Sequence, residues 1–470
     1  MCGIFGIIGH EDSSRLAYFG LYALQHRGQE SAGIASWEDS GGGRAHVQAG
    51  MGLVHDVFSE EALRHLPGDA AIGHIRYSTT GRPERRNAQP LVARMRGGIQ
   101  LALAHNGNLI NAAELRAELE DGGAIFQSSS DSEIFIHLIS HGLRGKSLEE
   151  AILGACARVE GAYSLIILAN GKLIALRDPH GFHPLSVGRL GGAWAFASES
   201  CAFDLLEAER LREVRPGEMM VVERGSPDCR SYELSHPAPV RQCIFELVYF
   251  ARPDSIIFGE DVYQCRKRMG LELIREAPAE ADCVLPFPDS GIYAALGVAQ
   301  GAGLPYEHAL IRNHYMGRTF IQPSQSMRQF GVRVKINPVH SMIENKRLLV
   351  VDDSIVRGTT VRTRVAKLRD MGAREVHFRV SSPPVRHPCF YGIDFPSTGE
   401  LVAARHAPEN LAALLGLDSL HYLSLDGLRR SVSRPGDYCT ACFDGKYPTA
   451  LPRVRDKYSL EHDPGQAGAV

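Results

Sequence analysis

Neither sign of charge dominates this chain: 51 lysines and arginines face 54 aspartates and glutamates in 470 residues, a formal net charge of −3. A near-neutral molecule has no global field to gather nucleic acid or an acidic membrane, and no basic helical module stands out in its text. Long apolar runs are missing as well. The amino-terminal GIFGIIG lacks the basic flank of a secretory signal, and no later segment approaches the roughly 20 apolar residues that cross a bilayer. These absences read as a cytoplasmic protein with small-molecule partners. Cysteine is sparse, ten in all, which excludes a disulfide scaffold and makes some of the ten candidates for catalysis or metal ligation. Internal repeats and low-complexity blocks are also lacking. What is present is 44% hydrophobic residues, enough for the cores of two or three domains.

The grammar changes near residue 241. Before it come short strands, glycine-rich turns and a few helices, as in AAIGHIRYST, LALAHNGNLI and AYSLIILANGKLIALRD, with hairpin turns at ANGK and LGGA. That pattern predicts antiparallel sheets with helices such as SDSEIFIHLISHGL packed on them, over residues 2–240. The polar, proline-bearing GSPDCRSYELSHPAPVRQC reads as the exit from that domain. Afterwards strand, loop and helix alternate, in ADCVLPFPDSGIYAALGVAQGAG and again in RLLVVDDSIVRGTTVRTRVAKLRDMGA. Alternation of this kind predicts a parallel sheet over residues 241–460, with ligands at the carboxyl ends of its strands. Residues 461–470 read as a flexible tail.

Cys2 stands directly behind the initiator methionine. Removal of Met1 would leave one residue with both a thiol and an α-amine, whose ordinary pKa of about 7.7–8.0 suits it to take the thiol's proton. Attack on an amide then needs an oxyanion hole and clamps for the substrate's charged ends. Asn106 and Gly107 of HNGN offer two N–H donors, Arg76 of IRYST suits a carboxylate, and Asp131 of SSSDSE suits either an ammonium group or the cap of the following helix. In order, CGIFGI, QHRGQESAGI, GHIRYSTTG, AHNGNL and SSSDSE resemble the class-II glutamine amidotransferases, the N-terminal-nucleophile glutaminases, which implies an αββα sandwich. By that resemblance Cys2 is the nucleophile, Asn106 and Gly107 form the oxyanion hole, and Arg76 and Asp131 clamp glutamine. Arg27, Gly28 and Thr79 line the same pocket.

A second constellation follows. In LLVVDDSIVRGTT a buried strand ends in two acids and then turns into a helix, whose first N–H groups suit a phosphate while the acids suit sugar hydroxyls or hydrated Mg²⁺. The string resembles the phosphoribosyl-pyrophosphate (PRPP) motif of type I phosphoribosyltransferases. The resemblance implies that Asp352 and Asp353 hold the ribose and Mg²⁺, with Ser290 of FPDSG near the metal, and that Ser354, Arg357, Gly358, Thr359 and Thr360 cradle the 5′-phosphate. From His308 to Ile343 there is no acid but five Lys or Arg residues. This stretch, with Arg318 and Lys335, reads either as a solvated basic face or as a lid over pyrophosphate.

Four cysteines remain to be explained: Cys243, Cys389, and Cys439 and Cys442 of CTAC. A single CxxC is ambiguous between zinc, redox chemistry and coincidence. Their contexts resemble the cluster-bearing branch of the glutamine PRPP amidotransferases, which implies a 4Fe-4S cluster on these four, a homotetramer, and inhibition by purine nucleotides. The implied reaction hydrolyses glutamine and passes ammonia to PRPP, giving 5-phosphoribosylamine, glutamate and pyrophosphate, at the entry to purine synthesis. A different class-II amidotransferase would have no use for VVDDSIVRGTT, and a non-catalytic PRPP-binding regulator would have none for Cys2.

Overall fold

The computed structural model describes residues 1–39, 43–312, 336–395, 397–451 and 460–461. Its first half is built on two antiparallel sheets. One has seven strands in the order Glu209–Glu213, Ser186–Leu190, Ala193–Ala197, Gly3–Ile8, Ala70–Arg76, Ser31–Glu38, Arg44–Met51. The other has six, in the order Cys229–Glu233, Glu218–Glu223, Lys172–Arg177, Gly161–Ala169, Gln100–Leu109, Leu91–Arg94. Side chains alternate across each central strand. In Gly3–Ile8, Ile4 and Ile8 join the core between the sheets, while Phe5 and Ile7 face the helix Ser13–Ala23. In Gly161–Ala169, Ile166 and Leu168 point between the sheets, while Tyr163, Leu165 and Ile167 meet the helices Ser132–Gly142 and Leu148–Cys156. Four layers result, helix, sheet, sheet, helix, which is why these strands read as continuous apolar runs. At Gly20 the outer helix lies so close that a Cβ would stand 2.5 Å from the Phe5 ring.

The second half has a parallel sheet in the order Cys283–Pro286, Arg347–Asp352, Glu375–Val380, Ser419–Tyr422. Both faces are covered, as parallel sheets require. Val284, Leu349 and Val351 pack toward the helices Val262–Glu276 and Ile292–Ala302; Leu285, Leu348 and Val350 pack toward Thr359–Asp370. Two expectations need adjustment. The segment read as the exit from the first half contains Cys229–Glu233, which pairs with Glu218–Glu223 as the outer strand of the six-stranded sheet. An edge strand has one polar face and few neighbours, so its text resembles a linker. Glu461, assigned to the tail, is ion-paired to Arg82. No helix among the described residues is long and apolar enough to cross a membrane.

Candidate active sites

Cys2 lies buried at the start of the strand Gly3–Ile8, facing Asn106 on the opposite sheet. The Cys2 backbone N–H donates to Asn106 Oδ1 at 3.1 Å, and its thiol faces the Tyr77 carbonyl at 3.7 Å. Because Oδ1 is taken, Asn106 Nδ2 is left buried with no partner among the described residues. An orphan donor beside a nucleophile is costly as structure and is what an oxyanion hole requires. Gly107 follows on the same strand, where a Cβ would collide with the Ala162 carbonyl at 1.9 Å. Burial pushes the Cys2 thiol above its ordinary value, and burial lowers the α-amine of Met1, which is itself enclosed. A base is therefore needed to make the thiolate, and an amine in this environment favours its neutral, proton-accepting form.

The expected pocket residues gather round this centre in different roles. Arg76 is 3% exposed and donates to the carbonyls of Thr80 at 2.8 Å and Arg82 at 3.0 Å, with Glu30 at 3.9 Å. Thr79 Oγ1 meets the Gly107 carbonyl at 3.4 Å. Asp131 makes no cap bond to its helix; instead Oδ2 accepts from the Leu109 N–H at 2.9 Å, so of its two expected roles the cap is not the one observed. Gly28 lies where a Cβ would stand 2.7 Å from the Arg76 backbone.

Arg27 differs most from expectation. Its Nε donates to the Cys2 carbonyl at 2.9 Å, and its terminal nitrogens are bound by Glu199 at 2.5 Å and Glu246 at 2.7 and 3.0 Å, with the Met1 sulfur at 3.9 Å. With Met1 present all five donors are occupied, and four of them bind Cys2, Glu199 and Glu246, so Arg27 holds the Cys2 backbone in place. Burial alone would raise Glu199 and Glu246, but the charges of His26 and Arg27 on the former and of Arg27 on the latter hold both below the usual carboxylate range. Neither glutamate was foreseen.

At the carboxyl end of Arg347–Asp352, Asp352 and Asp353 stand side by side, 7% and 5% exposed. Ser290 donates to Asp352 at 3.4 Å, and Ser354 donates to Asp353. Burial first, and the neighbouring Asp353 charge second, push Asp352 well above its ordinary value. Gly358, at φ 76°, turns the chain into the helix Thr359–Asp370. Thr359 and Thr360 are exposed at its start, as is Arg357, which pairs with Glu400 at 3.3 Å. These residues border a cavity of about 840 Å³ that also reaches Tyr77 and His26 of the first half. The cavity thus runs from the acids to Tyr77, the residue whose carbonyl faces the Cys2 thiol. Arg318 and Lys335 lie outside the described residues.

Cys243 and Cys439 face each other in the parallel pairing of Gln242–Cys243 with Tyr438–Cys439. Burial, followed by the charges of the other cysteines, pushes Cys243 and Cys442 well above the ordinary thiol value; Cys439, near Cys389, rises to about 12. These four cysteines lie in one region of the fold, drawn from distant segments, but among the described residues no three His, Cys, Asp or Glu side chains are grouped closely enough to hold a metal ion, so the expected metal site is not formed as such.

A family model described as a glutamine amidotransferase domain matches residues 74–204. Amidophosphoribosyltransferase 2, chloroplastic, of Arabidopsis thaliana is 49% identical over 95% of this chain and 79% of its own length. The chain belongs to the amidophosphoribosyltransferase family. Two solved structures share the whole fold. One, of an allosteric regulatory enzyme of purine biosynthesis, has TM-score 0.92 at 44% identity, covering 98% of this chain and 99% of the other. The other, glutamine PRPP amidotransferase from B. subtilis complexed with ADP and GMP, has TM-score 0.89 at 45% identity, covering 96% and 99%. The amidophosphoribosyltransferase fold is thus a glutaminase sandwich joined to a phosphoribosyltransferase sheet, as the sequence motifs imply.

Proposed function

We propose that this amidophosphoribosyltransferase divides its reaction between Cys2 and the Asp352–Asp353 site. Its activity is glutamine hydrolysis with transfer of the ammonia to PRPP, forming 5-phosphoribosylamine, glutamate and pyrophosphate at the first committed step of purine synthesis. After removal of Met1 the Cys2 α-amine takes the place of a nitrogen held 3.1 Å from Asn106 Oδ1. It accepts the thiol proton, sulfur attacks the amide carbon, and the oxyanion meets Asn106 Nδ2 and the Gly107 N–H. The amine returns its proton to the departing ammonia, and water hydrolyses the thioester to glutamate. Arg76 and Asp131 are assigned to the α-carboxylate and α-ammonium of glutamine, beside Gly28 and Thr79. Residues 2–240 carry this half and 241–460 the other.

In the second half ammonia bonds to C1 of PRPP as the C1–O bond to pyrophosphate breaks. Ser354, Arg357, Gly358, Thr359 and Thr360 are assigned to the 5′-phosphate, with Arg318 and Lys335 assigned to pyrophosphate. Asp352, Asp353 and Ser290 form the hard oxygen donor set that Mg²⁺ takes together with substrate phosphates. When bound, Mg²⁺ neutralises charge on pyrophosphate as it leaves. Cys243, Cys389, Cys439 and Cys442 are assigned to a 4Fe-4S cluster on the likeness of their sequence contexts to the cluster-bearing enzymes and on the four-thiolate donor set that such a cluster takes. Such a cluster would act as a structural staple. Purine nucleotides as inhibitors, a homotetramer and a cytoplasmic location complete the reading.

The observation that carries it is the cavity shared by Tyr77, one carbonyl from the nucleophile, and the PRPP acids. Incubation with glutamine, PRPP and Mg²⁺ should release glutamate and pyrophosphate in equal amounts. Glutamate released with no pyrophosphate would leave a glutaminase with another acceptor.

A further inference from the structure

The loop after Cys389 belongs to the second half of the chain but packs on the glutaminase centre of the first. The Phe390 carbonyl accepts from Asn108 Nδ2 at 3.1 Å, two residues beyond Asn106 on the same strand. Asn108 Oδ1 in turn accepts from Thr80 Oγ1 at 2.6 Å, next to Thr79 in the loop that Arg76 ties down. The Tyr391 ring stacks on Phe182 with centroids 4.2 Å apart, and its carbonyl meets His183 Nε2 at 2.5 Å. His183 Nδ1 faces Glu246 at 3.2 Å, Glu246 holds Arg27, and Arg27 holds the Cys2 carbonyl. Gly392, at φ 113°, lets the loop pass: a Cβ there would stand 2.9 Å from His183 Nε2 and 3.5 Å from the Gly107 carbonyl. The next three residues, Ile393, Asp394 and Phe395, border the large cavity.

The loop therefore touches the oxyanion strand directly and the nucleophile through a buried relay. We propose that the Phe390–Gly392 loop is the back wall of the glutaminase site, with Asn108 and Glu246 as positioning residues that fix the oxyanion strand and Cys2 against it. This rests on the assignment of Cys2 and Asn106 made above. A back wall supplied by the other domain makes glutamine chemistry depend on how the two domains are docked, since a small displacement of an oxyanion donor costs rate more than binding.

Asn108→Asp separates the bonds with almost no change in shape. A carboxylate still accepts from Thr80 but opposes the Phe390 carbonyl instead of donating to it. Gly392→Ala disturbs the loop at its other seat, against His183 and the Gly107 backbone. In the full-length holoenzyme both variants should lower kcat for glutamine hydrolysis by about tenfold or more, with KM for glutamine changed less than about twofold. The rate of Cys2 alkylation by iodoacetamide, which needs no oxyanion hole, should stay near the parent's in Asn108→Asp and change in Glu246→Gln. Parent-like kcat in both loop variants overturns the proposal. So does a loss of glutaminase and ammonia-dependent transfer in equal measure, which would mark a merely structural contact. Cys2→Ala run alongside keeps the two readings apart: glutamine hydrolysis persisting there would remove the assignment of Cys2, whatever Asn108 does.

Discussion

At the scale of single residues, the site is defined by groups held in unfavourable states. Asn106 Nδ2 is a buried donor unpaired among the described residues, and Asp352 is a buried acid beside another acid. The carboxyl of Asp352 is raised in the folded protein relative to about 3.9 in an unfolded chain. As pH rises from about 4, the unfolded state releases a proton that the folded state keeps, so this group's contribution falls toward neutral pH and is lost only when Asp352 ionises. Asp352→Asn should therefore raise the melting temperature of the ligand-free protein at pH 7.5, with a smaller gain near pH 4.5, while abolishing PRPP-dependent activity. A variant less stable than the parent at pH 7.5 would mean that the Asp352 charge is compensated. Arg27→Met should do the opposite, leaving buried Glu199 and Glu246 without their arginine and with only His26 and His183 as cationic partners, at a cost of roughly 3–5 kcal/mol, measurable by urea denaturation. Motif reading reached Arg27 but not this function. Its partners lie 172 and 219 residues away, in a fold that brings distant text together.

At the scale of elements, the legible features were those with a local physical cause. Asn170 and Gly171, both at positive φ, close the hairpin expected at ANGK, and the strand ending at Asp352 stops where its apolar run does. Asp131 and the helix after it were equally legible, but not the bond from Leu109, because a strand's backbone donor leaves no mark in the sequence. The edge strand Cys229–Glu233 was hidden by its polar face, and Asn108 by the ordinariness of an asparagine in a turn-like string. The turn into the helix Thr359–Asp370 depends on Gly358 at φ 76°. Gly358→Ala should cost about 1 kcal/mol in stability and weaken PRPP binding more than glutamine binding, because the displaced N–H groups are those of the proposed phosphate cradle. Isothermal titration with PRPP and Mg²⁺ checks this; unchanged affinity would remove the cradle assignment.

At the scale of the molecule, two independent folds are joined by buried contacts rather than by chain connectivity alone, with Arg27 and Glu246 paired across the junction and the Cys389 loop packed on the glutaminase strand. Anaerobic protein should contain about four iron and four sulfide per chain on Cys243, Cys389, Cys439 and Cys442, the stoichiometry of the proposed cluster. Its loss should reduce both half-reactions together; stoichiometric zinc without sulfide would replace the cluster by a zinc site. The central claim is that one chain carries two separable reactions joined by ammonia. Its most direct test is Cys2→Ala assayed for phosphoribosylamine formation from PRPP with either glutamine or high ammonia at alkaline pH. The account predicts no product with glutamine and near-parent product with ammonia; loss of both activities in folded protein that still binds PRPP would contradict it.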